Sequence, residues 1–181
     1  SDGRDFTSNK FAALPTFGAA GVSCADLNND GYPEIVFSNQ RILNQMNLAS
    51  YVYWNDNGNF RFENHTQLAT QGPYGNTIGD VNNDGLPDVV FFSYEGYFLD
   101  GPSLSHIYWG DGSRNYSNNN RTEFHTHQIF GFGNADLDDD GFVDLIIARQ
   151  KFYNGIDHEQ SGLLIEWNDN GQFNTPTQLT M

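Results

Sequence analysis

Three short acidic segments recur along this chain, and each is followed at once by an apolar run. They read DLNNDGYPEIVF from Asp26, DVNNDGLPDVVF from Asp80 and DLDDDGFVDLII from Asp136, so their starts lie 54 and 56 residues apart. Closely spaced carboxylates repel one another, whereas the adjoining apolar run is stable only when it is removed from water. A repeat of this length indicates a chain built from similar structural units.

The same two features flank every acidic segment. A Gly-rich stretch precedes it, and a Trp-containing stretch with an Asn-Gly or Asp-Gly turn follows it, as in YVYWNDNGNF from residue 51. Short apolar runs separated by such dipeptides are typical of strands joined by tight turns. Each unit therefore predicts four antiparallel strands, A to D, with the acidic loop between A and B. This is the plan of a β-propeller blade.

Individual strands carry further predictions. The B strands do not alternate in polarity, so we expect both of their faces to be buried between neighbouring blades. Strand D of the first unit is predicted from Phe60 to His65, where polarity alternates, and that of the last unit is predicted from Phe173 to Thr180. One Trp ends strand C in every unit, which favours blade packing over a sugar-stacking platform; these residues are Trp54, Trp109 and Trp167.

The predicted fold class is all-β, with three complete blades and one orphan outer strand. Residues 1–16 resemble a D strand because FTSNKFAALPTFG matches FRFENHTQLATQG, with Leu14 over Leu68. The three blades are assigned to residues 17–70, 71–127 and 128–181. A closed propeller typically needs about four to eight blades. We therefore expect other blades from a longer parent chain or from further copies of this chain.

Each acidic loop offers oxygen-bearing side chains at its first, third, fifth and ninth positions and a glycine at its sixth. The glycine lets the loop turn back, so that these side chains and the seventh carbonyl converge. A hard cation with about six to eight oxygen ligands fits this arrangement, and Ca²⁺ fits better than Mg²⁺. The candidate ligands are Asp26, Asn28, Asp30, Tyr32, Glu34, Asp80, Asn82, Asp84, Leu86, Asp88, Asp136, Asp138, Asp140, Phe142 and Asp144.

Two alternatives to a calcium loop of this kind were weighed. An EF-hand needs a glutamate at the twelfth position between two helices, but Phe37, Phe91 and Ile147 stand there. A solvated acidic turn without metal would explain one such loop, but it explains three in register poorly. We therefore expect one Ca²⁺ in each blade, about three in all.

The three D-x-[DN]-x-D-G-x-x-[DE] loops, with their apolar strands and Gly-rich flanks, resemble the FG-GAP, or VCBS, repeats of integrin-α-like β-propellers. The resemblance spans essentially the whole chain. It implies Ca²⁺ binding within each blade and an extracellular location. Members of this family serve as adhesion receptors, lectins and accessory domains of secreted enzymes that act on polysaccharides.

This chain departs from the family's pattern in three ways. The third loop position is Asn in two of the loops, and the ninth position of the first loop is Glu34 instead of Asp. The literal Phe-Gly pair occurs at Phe17 and at Phe130, whereas the second repeat has Gln71 before its glycine. The substitution by glutamate predicts a first site that is weaker or larger.

Composition excludes several classes of function. The formal net charge is −15, with 23 acidic against 8 basic residues, which disfavours nucleic acid and anionic membranes as partners. No apolar run reaches the ~18 residues that a membrane span needs. Hydrolase and phosphate-loop motifs are missing, so we expect no enzyme. Cys24 is the sole cysteine, which excludes an intramolecular disulfide, and it is predicted to be a small buried residue.

Features that differ between the repeats are where ligand binding is expected. The B–C linkers differ most, and in an antiparallel blade they lie at the end opposite the acidic loops. This rim is predicted to bind a carbohydrate or protein ligand. Its candidate residues are Arg41, Tyr74, Tyr97, Phe98, Arg149, Lys151 and Tyr153.

Some remaining motifs carry weaker predictions. His125 and His127 alternate on one strand and are interpreted as an ordinary exposed pair. Glycosylation sequons occur at Asn64, Asn115 and Asn120. The chain begins without Met or a signal-peptide plan, which predicts processing or excision from a longer protein.

Three functions stay open at this point. The first is a non-catalytic extracellular propeller segment for adhesion or recognition. The second is a structural subunit whose N-terminal strand pairs with another copy in an assembly or filament. The third is an accessory propeller of a secreted polysaccharide-active enzyme.

Overall fold

Strands and turns make up the secondary structure of this chain. The computed structural model describes residues 12–94, 103–126, 129–149, 162–170, 172–173 and 177–179. Within these ranges no helix has the length and apolar character needed to span a membrane.

Three four-stranded antiparallel sheets follow one another along the chain, as predicted. Blade 1 contains β1 (Ala19–Ala25), β2 (Glu34–Asn39), β3 (Ala49–Tyr53) and β4 (His65–Ala69) in that spatial order. Blade 2 contains β5 (Pro73–Gly79), β6 (Asp88–Ser93), β7 (Ser103–Tyr108) and β8 (Arg121–Thr126) in the same order. Blade 3 contains β9 (Ile129–Ala135), β10 (Asp144–Arg149), β11 (Gly162–Glu166) and the outer β14 (Thr177–Leu179). The all-β, blade-type fold is confirmed.

The D strands lie further along the chain than predicted. In blade 1, Asn64 donates its backbone N–H to the Arg61 carbonyl in a turn, so that strand D begins only at His65. In blade 3, β12 (Asn168–Asp169) pairs with β13 (Gln172–Phe173) in a small separate hairpin. Phe173 therefore belongs to this hairpin and not to strand D. The stem of this hairpin takes up Phe173, which the sequence had assigned to the strand.

Two apolar cores lie between successive blades. Between blades 1 and 2, Val36, Val52 and Leu68 pack with Phe91 and Tyr108. Between blades 2 and 3, Phe92 and Ile107 pack with Leu145, Ile147 and Leu164. Each blade therefore buries its apolar strands mainly against its neighbours.

The prediction that every B strand is buried on both faces is wrong for the outer blades. Only β6 of the central blade is buried at all of its residues. In β2, Ile35 and Phe37 are half-buried, as is Ile146 in β10. The cause is the position in the stack, because blades 1 and 3 each have a described neighbour on one side only.

Exposed apolar residues mark the two open faces. Val22 of β1 is 60% exposed, and Cys24 beside it is exposed too, so the prediction that this thiol is buried is wrong. At the second loop position, Leu27 and Val81 are fully buried, whereas Leu137 of the last loop is 44% exposed. The same sequence position is therefore covered only where a following blade packs on it.

Close contact between A strands requires small residues. A Cβ on Gly21 would lie 2.7 Å from the Cα of Gly75, and a Cβ on Gly75 would lie 2.1 Å from the Phe132 ring. The side chain of Asn76 bonds across the same junction, since its amide donates to Ser38 Oγ at 2.6 Å. The small-residue A strands thus let the blades approach one another.

The blade boundaries at residues 17–70, 71–127 and 128–181 stay predictions. Of the predicted orphan strand, residues 1–11 lie outside the described residues, and residues 12–16 have no strand pairing. The position of those five residues nevertheless matters, because Pro15 contacts blade 1.

Candidate metal centres and recognition rim

The first aspartate of each acidic loop closes the loop on itself. Asp26 accepts the N–H groups of Asp30 and Gly31 at 3.0 and 2.8 Å. Asp80 and Asp136 make the equivalent pairs of bonds in their own loops. Both oxygens of the first carboxylate are therefore fixed by the backbone, and the loop is ordered by its own amides.

The third and fifth positions lie against one another. In loop 2 the amide of Asn82 donates to Asp84 Oδ2 at 3.0 Å, and Asp84 Oδ1 accepts the Leu86 N–H at 2.9 Å. Asn28 and Asp30 repeat this arrangement. The asparagine that departs from an all-aspartate motif thus relieves charge repulsion between neighbouring ligand positions.

The ninth-position carboxylate is buried and joins three strands. Asp88 Oδ2 accepts the Val81 N–H at 2.9 Å, and its Oδ1 accepts the Gly110 N–H at 2.8 Å. Glu34 and Asp144 accept the same pair of amides in their blades. This residue therefore ties the A–B loop to the end of strand C, a role that its place in the loop motif did not reveal.

Two positions in each loop have the left-handed backbone conformation. The sixth-position glycines were expected to turn the chain, and they have φ of 89°, 84° and 94°. The fourth position, which the motif leaves free, has φ of 56° at Asn29, 57° at Asn83 and 62° at Asp139. Asn and Asp tolerate this region better than other side-chain-bearing residues. The repeated Asn or Asp at the fourth position was the signal for it.

Charge and burial oppose ionisation in these loops. Burial raises the pKa of the Asp88 carboxyl to about 6, and the charges of Asp84 and Asp80 add to the shift, although bonds from Gly110 and Val81 oppose it. Burial likewise raises the pKa of Glu34. A cation held by these carboxylates would remove the repulsion, because an opposite charge favours the ionised form.

The third loop brings carboxylates closest together. One oxygen from each of Asp136, Asp138 and Asp144 lies within 4.8 Å of the others. Three converging carboxylates, all hard oxygen donors, fit a divalent cation. The residues present therefore suit the ion that the loop motif implies, and the first, third and ninth positions are its candidate ligands in this loop.

An arginine from blade 2 reaches the first loop. Arg114 Nη1 lies 3.0 Å from Asp56 Oδ1, and its Nη2 lies 3.6 Å from Asp30 Oδ2. Its guanidinium also lies over the Trp54 ring, 5.4 Å from the centroid. Trp54 itself is buried in the core between the blades, as the packing interpretation predicted. Arg114, which the sequence did not single out, thus links blade 2 to the candidate metal loop of blade 1.

Aromatic side chains cluster at the opposite end of the blades. The ring centroids of Tyr74, Tyr94 and Phe130 lie 5.6 to 6.0 Å from one another. Tyr74 is 37% exposed and Phe130 is 41% exposed. Tyr74 belonged to the predicted rim, whereas Tyr94 and Phe130 were missed. We refer to these three residues as the aromatic triad.

Of the other predicted rim residues, Arg41 and Arg149 belong to the described part of the structure. Arg41 is exposed and lies in the B–C linker of blade 1. The backbone of Arg149 ends β10. Outside the described residues lie Tyr97, Phe98, Lys151 and Tyr153. Their role in ligand binding stays a prediction.

The sequons and histidines are also placed. Asn64 and Asn120 donate their side-chain amides to the Trp54 and Trp109 carbonyls at 3.3 and 3.2 Å, so both cap the end of strand C. Asn115 is exposed. His125 is exposed on β8, and His127 lies outside the described residues.

Comparison with known proteins gives one family match and several similar proteins. Residues 42–91 match the model of the FG-GAP-like repeat. Integrin alpha-6 of Homo sapiens is 29% identical over 141 residues, which cover 70% of this chain and 12% of that protein. Integrin alpha-6 of Gallus gallus is 27% identical over 144 residues, covering 70% of this chain and 13% of that protein. The chain thus spans a small part of either relative's length.

The matched segment contains strand C and strand D of blade 1 together with strand A, the second acidic loop and most of strand B of blade 2. It therefore includes one of the three acidic loops on which the resemblance is based. Residues 42–91 are thus similar to an FG-GAP-like repeat, as this loop predicted.

Proposed function

We propose that this chain is a calcium-stabilised segment of an extracellular β-propeller that recognises a carbohydrate or protein ligand and performs no catalysis. Ca²⁺ would be held by the three acidic loops, one ion in each blade. Ligand would bind at the rim that carries the aromatic triad. The similarity to integrin alpha-6 supports an adhesion or recognition role at the cell surface.

The calcium part of the proposal rests on the convergence of Asp136, Asp138 and Asp144. The first and second loops repeat the hydrogen bonds that close the third loop, which supports an equivalent site in each blade. Each ion would offset the repulsion between carboxylates and hold the A–B turn against the buried strand that follows. The ion's contribution in this account is structural.

The recognition part rests on the aromatic triad, the single observation that carries it. Large aromatic side chains that remain partly exposed are enriched where proteins bind partners. Tyr74 supplies a hydroxyl beside the rings, so the surface offers both apolar contact and hydrogen bonding. The variable B–C linkers begin beside the triad, which suits a surface whose specificity differs between proteins.

The open faces of the outer blades support further blades around this segment. Val22 and Leu137 are exposed, whereas the residues at the equivalent positions between two described blades are buried or half-buried. A longer parent chain or additional copies of this chain would cover them. The same observation favours the second candidate function, a structural subunit of an assembly, since a second copy would bury the same apolar surface.

Binding to a glycan array and to an array of secreted proteins tests the proposal. We expect the chain in calcium to retain a ligand, and the double variant Tyr74→Ser/Phe130→Ser to lose it. Phe62→Ser is the matched control, because Phe62 is 46% exposed but lies outside the rim. Silence of the wild-type chain on both arrays would contradict the recognition role, as would a double variant that keeps every ligand of the wild-type chain.

A further inference from the structure

A cavity of about 410 Å³, open to solvent and lined by both polar and apolar surface, lies at the junction of blades 1 and 2. It is formed by the ends of β3 and β4 on one side and by β7 and β8 on the other. The residues used below are Gln67, Leu104, His106, Asn118, Arg121 and Glu123. Its volume falls in the range of roughly 300–1,000 Å³ that small-ligand pockets occupy. The cavity is separate from the acidic loops and from the aromatic triad.

The charges in this cavity are paired with each other. Arg121 Nη2 donates to Glu123 Oε1 at 2.6 Å, and Arg121 Nη1 donates to the Tyr108 hydroxyl at 3.0 Å and to the Ala69 carbonyl at 3.2 Å. The guanidinium is therefore held in one position. Glu123 remains 41% exposed, so a solute can reach it. An anion would meet Glu123 and a cation would meet Arg121, which disfavours both kinds of ligand.

His106 is buried in the cavity wall, where its Nδ1 has no hydrogen-bond partner. Its Nε2 lies 3.7 Å from Glu123 Oε1. Burial lowers the pKa of His106 to about 4, with a further contribution from Arg121, against the effect of Glu123. The ring is thus neutral at pH 7, and the contact with Glu123 is not an ion pair. A buried polar atom without a partner is costly, so the packing of the strands gains nothing from a histidine here.

The other two blades do not repeat this arrangement. The strand pairing places His106 opposite Phe91, and it places Tyr51 opposite Phe37 and Leu164 opposite Ile147 in the corresponding sites. An aromatic or aliphatic residue thus fills the position in blades 1 and 3. Blade packing alone is satisfied by an apolar side chain there, so packing does not account for a histidine.

The outer strand that pairs with strand C also differs between the blades. Glu123 pairs with His106, and the residue that pairs with Tyr51 is Gln67. A charged pair on β8 beside a buried histidine is therefore confined to blade 2. These side chains differ from those at the equivalent positions of the other blades, as the residues of a ligand site would.

We propose that this cavity binds a neutral saccharide, such as the terminal sugar of a glycan. A sugar carries closely spaced hydroxyl groups that both donate and accept hydrogen bonds, and it has no net charge. Glu123 accepts from one hydroxyl, while the amides of Gln67 and Asn118 serve others. A hydroxyl placed between Glu123 Oε1 and His106 Nε2, which lie 3.7 Å apart, bonds to both, and Leu104 offers an apolar wall to the sugar's C–H face.

Saturation-transfer NMR followed by calorimetric titration of the 181-residue chain in calcium tests this proposal. The probes are glucose, galactose, mannose and N-acetylglucosamine, with N-acetylneuraminate and glucosamine as the charged comparisons. We expect at least one neutral sugar to bind, and to bind more tightly than both charged ones. Binding of neither kind, or of a charged sugar alone, would overturn the proposal.

Two cavity variants locate the site. We expect Glu123→Gln and His106→Phe each to weaken sugar binding by about tenfold, the usual effect of losing one hydrogen bond of about 1.4 kcal/mol. Phe resembles the residues that occupy this position in the other blades, so His106→Phe is expected to keep or raise the melting temperature. Weaker binding without lower stability separates a ligand-binding role from a structural one.

Two control variants test whether the sugar binds in this cavity or elsewhere on the chain. Glu63→Gln makes the same chemical change at an exposed glutamate outside the cavity and should bind sugar like the wild type. The rim variant Tyr74→Ser/Phe130→Ser should also retain it, which separates this site from the proposed rim. Unchanged affinity in both cavity variants, or an equal loss in Glu63→Gln, would show that the sugar binds elsewhere.

Discussion

The hydroxyl of Tyr108 in blade 2 donates a hydrogen bond of 2.6 Å to the main-chain carbonyl of Ala69, the last residue of β4 in blade 1. Tyr53 occupies the equivalent place in blade 1, and its hydroxyl donates to the Pro15 carbonyl at 2.5 Å. Pro15 therefore occupies the same position relative to blade 1 that Ala69 occupies relative to blade 2. This relationship supports the prediction that the N-terminal residues occupy the place of a preceding blade's outer strand.

Removing either hydroxyl tests that relationship. We expect Tyr108→Phe and Tyr53→Phe each to lower the free energy of unfolding by about 1 kcal/mol, the usual net value of one hydrogen bond. Urea denaturation measures the change. If Tyr53→Phe has no effect while Tyr108→Phe does, residues 12–16 do not hold to blade 1 in solution.

The ninth-position carboxylate is expected to stabilise the blade with or without calcium. Asp88→Asn places an N–H where Val81 or Gly110 needs an acceptor, leaving a buried donor unpaired at a cost of about 1–3 kcal/mol. Denaturation in EDTA should still show the loss. Asp138→Ala, at an exposed third position, should lower stability in calcium only, and the opposite pattern would refute this division of roles.

The pattern of the acidic loops was enough to predict the blades but not their exact limits. The B strands and the order of the elements followed from apolar runs and turn dipeptides, which are local signals. The start of strand D did not, because the turn at Arg61–Asn64 depends on hydrogen bonds to strand C. Exposure of Cys24 and Val22 could not be predicted either, since it depends on which blades adjoin the sheet.

The candidate sites, like the strands, were predictable where the signal is local in the sequence and not where it depends on packing. The convergence of Asp136, Asp138 and Asp144 was predictable because their spacing along the chain determines it. Arg114 was not, because it meets Asp56 only after two blades have packed. Phe130 of blade 3 joins Tyr74 and Tyr94 of blade 2, and the polar set around His106 becomes visible only when strand pairing aligns the repeats.

Arg114 is expected to couple blades 1 and 2. Arg114→Met keeps much of the side chain's apolar contact with Trp54 but removes the charge-assisted contact with Asp56. We expect a loss of about 1 kcal/mol, since the pair is partly exposed. A double-mutant cycle with Asp56→Asn measures the coupling, and additive effects of the two substitutions would exclude it.

Burial of neutral His106 predicts a dependence of stability on pH. Its pKa is about 4 in the folded chain, against an ordinary value of 6.5. The unfolded chain therefore binds the extra proton first, and stability falls as pH drops from 6.5 towards 4. This contribution is about 3 kcal/mol at most.

The variant His106→Phe isolates that contribution from those of the carboxylates. Arg121 and Glu123 are present in both the wild-type chain and the variant, so their own titration contributes to both stabilities and cancels in the difference. The stability advantage of the variant should grow as pH falls from 6.5 to 4, in chemical denaturation at matched ionic strength. A constant difference over this range would mean that His106 titrates normally in the folded chain.

Calcium titration of the chelator-treated chain by calorimetry tests the central claim most directly. We predict uptake of about three ions per chain, and of about two in the variant Asp136→Ala/Asp138→Ala, since each loop supplies one set of oxygen ligands. Asp169→Asn, an exposed aspartate outside the loops, should leave the count unchanged. Uptake of no calcium by the wild-type chain, or an unchanged count in the loop variant, would contradict the assignment of these loops as the metal centres.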